Sequence, residues 1–209
     1  MKRMRAMNGR ILVLAVVAAA AAASMAPSVA MAQQFSDSYV FLKAVKDKDG
    51  AKATRLIDEP GTTIIDTRDN ATGETALHIV VKRRDSEWLG FLLGKGARTD
   101  IKDKDGNTPL MVATTLRYAD GAQLLIQLRA NVNLANSSGE TPLIRAVQLG
   151  DAQMVRLLVA AGANPDQRDL LAGMSAHDYA VRDQRSAVIL RELDNAKPKS
   201  TKPTQGPKL

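Results

Sequence analysis

The 209-residue chain contains no cysteine, one tryptophan, three tyrosines, three phenylalanines and two histidines. The missing cysteine excludes a disulfide framework, so packing alone must hold the fold, and it excludes a lipid anchor attached through a thiol. Aromatics make up only 3% of the residues. A core poor in aromatics but rich in Leu, Val and Ala points to packed helices rather than a β-sandwich. Acidic residues are missing from both ends. Residues 1–32 carry Lys2, Arg3, Arg5 and Arg10 with no acid, and residues 197–209 carry Lys197, Lys199, Lys202 and Lys208 with none. The net charge of +7 therefore belongs to the termini, and the middle is left at −1. A nucleic-acid binder needs its basic stripe on the folded body, and this body has none, so no nucleic-acid partner is expected.

The first terminus reads as an export signal. A basic stretch precedes a 13-residue apolar run, Ile11–Ala23, too short to span a bilayer comfortably, which takes about 20 residues. Ala30-Met31-Ala32 supplies a small-x-small site, so cleavage is expected between Ala32 and Gln33. No adjacent arginine pair marks a twin-arginine signal, which leaves a Sec-type route to a bacterial periplasm or the exterior. After cleavage no integral membrane segment is expected. An oxidising destination also suits a chain without free thiols. The other end, residues 197–209, is Pro-rich and basic without apolar periodicity and reads as a disordered tail. A solubilising role is expected for it, with weak contact to an anionic surface as the alternative.

What the middle does have is a period. Gly73, Gly106 and Gly139 lie 33 residues apart, as do Thr75, Thr108 and Thr141, and Leu77, Leu110 and Leu143. Leu92, Leu125 and Leu158 keep the step, and so do Ala97, Ala130 and Ala163. Five positions held through three copies define a repeat array. Each copy reads as a glycine turn, a Thr at the helix N-cap and, in two copies, Pro109 or Pro142 at the first helical position. Such a threonine accepts a bond from an otherwise unpaired backbone N–H, and proline there forfeits nothing. A short helix follows (76–82, 109–116, 142–149), then a second with an apolar row that ends at Gly96 or Gly162, where glycine accommodates a left-handed backbone. The third copy has Arg129 at that position, for which a relocated helix cap is the expectation.

This pattern resembles the ankyrin repeat, most closely in DKDGNTPLMVA (residues 103–113) and NSSGETPLIRA (136–146). The resemblance implies an all-α solenoid of about five helix-turn-helix units joined by protruding β-hairpin-like turns. The units run approximately 36–69, 70–102, 103–135, 136–168 and 169–196 of a repeat domain spanning 33–196. The first and last are degenerate, as the ends of a stack should be. In the last, one residue is inserted before Gly173, and Ser175 with Asp178 has capping-box spacing.

His78 falls on the histidine of the family's T-P-L-H motif. There the resemblance implies a scaffold role, the imidazole bonding the threonine hydroxyl and the neighbouring turn. Met111 and Ile144 take its place in other copies, so no chemistry repeats. His177 lies three repeats away, roughly 25–30 Å at a helix spacing of about 8–10 Å, too far to share a metal. There is no Gly-x-Ser-x-Gly, phosphate loop or His-x-x-x-His. The turn Asp and Asn residues recur at 33, not within the 12 residues of a calcium loop. Neither catalysis nor a cofactor is expected.

Function is expected on the concave surface of turn tips and first helices, which in the resembling family binds protein partners. Mapped onto this chain, the tips present Ala71, Thr72 and Glu74; Lys104, Asp105 and Asn107; Ser137, Ser138 and Glu140; and Leu170, Leu171 and Met174. The first helices add Lys82, Arg83, Thr115, Leu116, Gln148 and Leu149. Arg117-Tyr118 stands out as an anchor pair of the type enriched at interfaces. Leu170, Leu171 and Met174, if exposed together, make an apolar patch. Trp88 belongs to the second-helix row and is expected in the core. The expectation is a non-enzymatic module for another protein, in an accessory or immunity role. The alternative is a handler of a small molecule, metal or haem in the concave groove.

Overall fold

The computed structural model describes residues 26–183 and 187–196. The chain divides into two compact units, Met1–Val40 and Phe41–Leu209. The basic and apolar stretch up to residue 25, read above as an export signal, and the tail 197–209 lie outside the described residues. The expected cleavage point, Ala32 and Gln33, falls inside α1 (Ala26–Asp47), which crosses from the first unit into the second. Among the described residues no helix is long and apolar enough to cross a membrane.

After α1 come α2 (Gly50–Ile57) and a single 3-10 turn, Ile64–Asp66. Four helix pairs follow: α3 (Ala76–Lys82) and α4 (Ser86–Gly94), α5 (Pro109–Thr115) and α6 (Ala119–Gln127), α7 (Pro142–Gln148) and α8 (Ala152–Ala160), α9 (Ala176–Arg182) and α10 (Ala187–Ala196). The first helices of these pairs pack in one row and the second helices in another, each pair against its successor. Helices of seven to ten residues cannot hold themselves in water, so the stack is what stabilises them.

Sequence explains where each helix starts. The hydroxyls of Thr108, Thr141 and Ser175 accept from the amides of Met111, Ile144 and Asp178. Asp178 returns the bond to the Ser175 amide, completing the capping box. Asp49, Asp85 and Asp151 cap α2, α4 and α8 in the same way. Between the helices of a pair the chain reverses through one left-handed residue, Arg84, Arg117 or Gly150, with φ of 53°, 53° and 68°. Arg129 takes the left-handed conformation itself at φ 68°, where its counterparts Gly96 and Gly162 have 88°. The cap has not been relocated: the third unit keeps the family backbone and tolerates the side chain.

The core is a column of repeated positions. Leu77, Leu110 and Leu143, then Val80, Ala113, Ala146 and Ala180, then Leu92, Leu125 and Leu158 are all fully buried. Each leucine contributes about 1.5–3 kcal/mol by leaving water. A leucine at the same place in every copy also fixes the register of one unit on the next.

One expectation fails. Among the described residues there is no β-strand, so the connections are not β-hairpins. The nearest approach is an isolated bridge between Arg168 and Ser175. The cause is the position of the cap. Thr75, Thr108, Thr141 and Ser175 begin their helices directly after the turn, leaving too few extended residues on that leg to pair. Each turn is closed by a backbone bond across its base, such as the Asp103 amide to the Asn107 carbonyl, and by a side chain. Oδ1 of Asp69, Asp103, Asn136 and Asp169 accepts two amides from its own tip.

Candidate functional site

The four tips form a second ladder beside the helices. The amide of Lys104 donates to the Thr72 carbonyl, Ser137 to Asp105, and Leu170 to Ser138, at 2.9–3.0 Å. Glycine is required at each step. Gly106 and Gly139 have φ of 80° and 76°, and a Cβ would stand 2.5 Å from the Ser137 amide and 2.6 Å from that of Leu170. Backbone bonds and Asx turns thus hold the tips fixed before any partner arrives. Those of Asp69 are strong enough that the Thr72 and Ala71 amides draw its carboxyl below the usual carboxylate range.

The expected surface residues divide into two groups. Lys104, Asp105, Ser137 and Thr115 are exposed, and Asn107, Ser138, Leu116, Gln148 and Leu149 are partly so. Leu170 and Leu171 are 77% and 83% exposed, while Met174 is partly covered, its sulfur accepting from Arg182. Lys82 pairs with Glu74 across the first helix and its tip.

Others turn inward. Tyr118 is 7% exposed, its ring seated over Gly121 and its hydroxyl paired with Ser86 of the preceding unit. It anchors units to each other rather than to a partner. Arg117 stays exposed, but its guanidinium donates to the Leu149 carbonyl of the next unit, just as Arg84 donates to Leu116. Glu140 is also 7% exposed, folded onto Arg145 and Asn136, and burial raises its pKa against the pull of those two groups. Tyr179 donates to Asp169 at 2.7 Å. Burial alone would raise the Asp169 pKa, but the bonds from Tyr179 and the tip amides lower it. Trp88, expected in the core, is only partly buried. It meets Phe91 edge-on, and Arg83 lies over its ring.

The inter-unit arginines were missed in reading the sequence, although their signal was present. Arg84 and Arg117 are themselves 33 apart, each the second residue past the end of a first helix. A second inter-unit series was missed too: the amides of Arg98, Asn131 and Asn164 donate to side chains of Asp66, Asp100 and Asn133 one unit earlier.

His78 has the role that its motif implied. Nδ1 faces the amide and hydroxyl of Thr75, and Nε2 bonds the Asn107 carbonyl of the next tip at 2.9 Å. His177 instead sits beside Asp194 at 3.2 Å. Among the described residues no group of three or more His, Asp or Glu is placed to hold a metal. Open surface grooves among the described residues include one of about 470 Å³ lined by Leu93, Arg98, Leu128 and Arg129, and one of about 340 Å³ beside Trp88 and Phe91. Neither includes a tip residue of the expected surface.

These features define a class of protein: a stack of helix pairs that holds a row of ordered tips in fixed register, an interaction scaffold. Comparison with known families matches the chain to ankyrin repeats, three copies, over residues 41–136 and 82–169. The matched stretch is more than half of the chain, which therefore belongs to the ankyrin-repeat family. That fold is a non-enzymatic scaffold that generally mediates protein–protein contact.

Proposed function

We propose that this ankyrin-repeat protein is exported to a bacterial periplasm, where its concave row of tips and first helices binds one partner protein, as an accessory or immunity-type subunit. The observation that carries the reading is a fixed backbone with exposed side chains along that row. Lys104, Asp105 and Ser137 are exposed on tips that backbone bonds tie within and between units, and Thr115 is exposed at the end of α5. A surface ordered in advance loses little entropy on contact, so most of its interaction energy is available for affinity. Export rests on the N-terminal sequence, a basic stretch, a 13-residue apolar run and Ala30-Met31-Ala32.

Two measurements test it. Fractionation of the native producer with N-terminal sequencing should find the protein outside the cytoplasm, beginning at Gln33. Affinity capture should then retain a protein that a Thr115→Arg/Ser137→Glu variant loses at unchanged circular dichroism. A cytoplasmic, uncleaved chain removes the export half of the reading. Equal capture by both proteins removes the concave face as the site.

A further inference from the structure

The stack ends on apolar side chains. In units 2 to 4 the next-to-last residue of the first helix, Val81, Thr114 or Val147, is fully buried, with a further unit packed against it. Val181 holds the same place in unit 5, allowing for the inserted residue, and is 54% exposed. Leu170 and Leu171, on the tip of that unit, stand where the earlier tips carry Lys104-Asp105 and Ser137-Ser138. Gly173 repeats the comparison in the backbone. A Cβ on Gly106 or Gly139 would strike the next tip, but around Gly173 there is nothing within 4 Å. Terminal repeats usually carry a polar outer face, and here exposed Leu171 and Val181 share it with Arg182, Arg191 and Asp194.

We propose that this end face is where two copies of the chain meet, unit 5 against unit 5, about a two-fold axis. The face continues the interface by which each unit covers the one before it, which buries Val81 and Val147 beside polar ties such as His78–Asn107 and Tyr118–Ser86. Leu170 is exposed but its Cγ lies close to Gly139 of the unit before, so Leu171 and Val181 are the apolar groups that a second copy brings to the face. The exposed charges of α9 and α10 are of both signs, Arg182 and Arg191 with Asp194, so two copies are not forced into repulsion. The opposite end of the stack is mainly charged, with Tyr39 as its exposed large apolar side chain among the described residues. Exposed residues of its first unit include Lys43, Lys46, Lys52, Arg55 and Asp58. A head-to-tail filament is therefore not favoured, and a closed pair is.

The tip backbone limits the strength of the contact. The amides of Leu171 and Ala172 already donate to Asp169, so the free edge presents carbonyls alone and two copies cannot extend the tip ladder. A contact made only by side chains over a small area is weak, with a dissociation constant on the order of 10–100 µM.

Sedimentation of the purified protein up to about 0.2 mM should show a reversible monomer–dimer equilibrium. In a Leu171→Asp/Val181→Asp variant the association should weaken at least about tenfold. Because the chain has no cysteine, Leu171→Cys gives a second measurement that does not depend on how the aspartates are tolerated. Near a two-fold axis its disulfide-linked dimer should form at least about tenfold faster than that of Gln123→Cys on the exposed side of α6. A wild type that stays monomeric over the whole range overturns the proposal, and so do equal rates for the two cysteine variants. Neither result bears on partner binding by the concave row, which the Thr115→Arg/Ser137→Glu variant reports separately.

Discussion

His78 and Asn107 join the second unit to the third through one bond, imidazole Nε2 to backbone oxygen at 2.9 Å. The Thr75 amide at 3.1 Å can only donate, so Nδ1 is the acceptor and the proton sits on Nε2. Protonating Nδ1 would turn two donors toward each other inside the stack.

A pH dependence follows from that geometry. Burial lowers the His78 pKa below its ordinary 6.5, against the opposing bond to Asn107. The unfolded chain thus binds a proton in a range where the folded chain resists it. The stabilisation is fully present above about pH 6.5 and is lost as pH falls toward the lower folded value. His78→Met places in the second unit the residue that the third already has at Met111. It should cost about 1–2 kcal/mol at pH 7.5 through the lost bonds. Its urea midpoint should fall less than that of wild type between pH 7.5 and 5.5. Parallel pH profiles for the two proteins would show that His78 is not the titrating group.

Gly106, Gly139 and Gly173 hold equivalent places, with φ of 80°, 76° and 64°, but only the first two have a tip above them. All three alanine variants should lose about 1 kcal/mol to the left-handed backbone. Gly106→Ala and Gly139→Ala should lose an additional amount of about 1–3 kcal/mol, because the new methyl meets a backbone amide that cannot move without breaking the ladder. Thermal denaturation of the three variants ranks them directly. Equal losses would mean that the tips do not stack as described.

Tyr118 shows why the surface was less legible in the sequence than the fold. The period of 33 located the first helices of units 2 to 4 to within a residue, because a leucine or threonine at a repeated place has the same job in each copy. Whether a residue outside the motif faces solvent depends on its neighbours in the adjacent unit, which the period does not encode. Tyr118 finds a slot because Gly121 leaves room one turn later and Ser86 lies one unit earlier. Glu140 is covered because Arg145 and Asn136 reach it. The hairpin expectation came from the family resemblance, and the cap position in each copy leaves the strands no length.

The buried ring makes its own prediction. Tyr118→Phe keeps the packing and loses only the Ser86 bond, so it should cost about 0.5–1.5 kcal/mol. Tyr118→Ala opens a cavity between the units and should cost about 3–5 kcal/mol. Chemical denaturation separates the two. An alanine variant as stable as wild type would return Tyr118 to the list of surface anchors.

Arg117 and Arg129 share a left-handed backbone, with φ of 53° and 68°, and differ in what the side chain does. The guanidinium of Arg117 bonds the Leu149 carbonyl one unit on, so removing it surrenders a tie between units as it relieves the backbone. The Arg129 side chain has no partner among the described residues, and its counterparts in the neighbouring units are Gly96 and Gly162. Arg129→Gly should therefore raise stability by about 0.5–1 kcal/mol, the left-handed strain less the greater freedom of glycine in the unfolded chain. Arg117→Gly gains the same relief but loses a charge-assisted bond, leaving it neutral or destabilised by about 1 kcal/mol. Equilibrium unfolding of the two variants beside wild type measures the difference. Opposite signs would separate the cost of the backbone from the value of the bond. A destabilised Arg129→Gly would mean that this arginine holds the third unit through a contact the described residues do not contain.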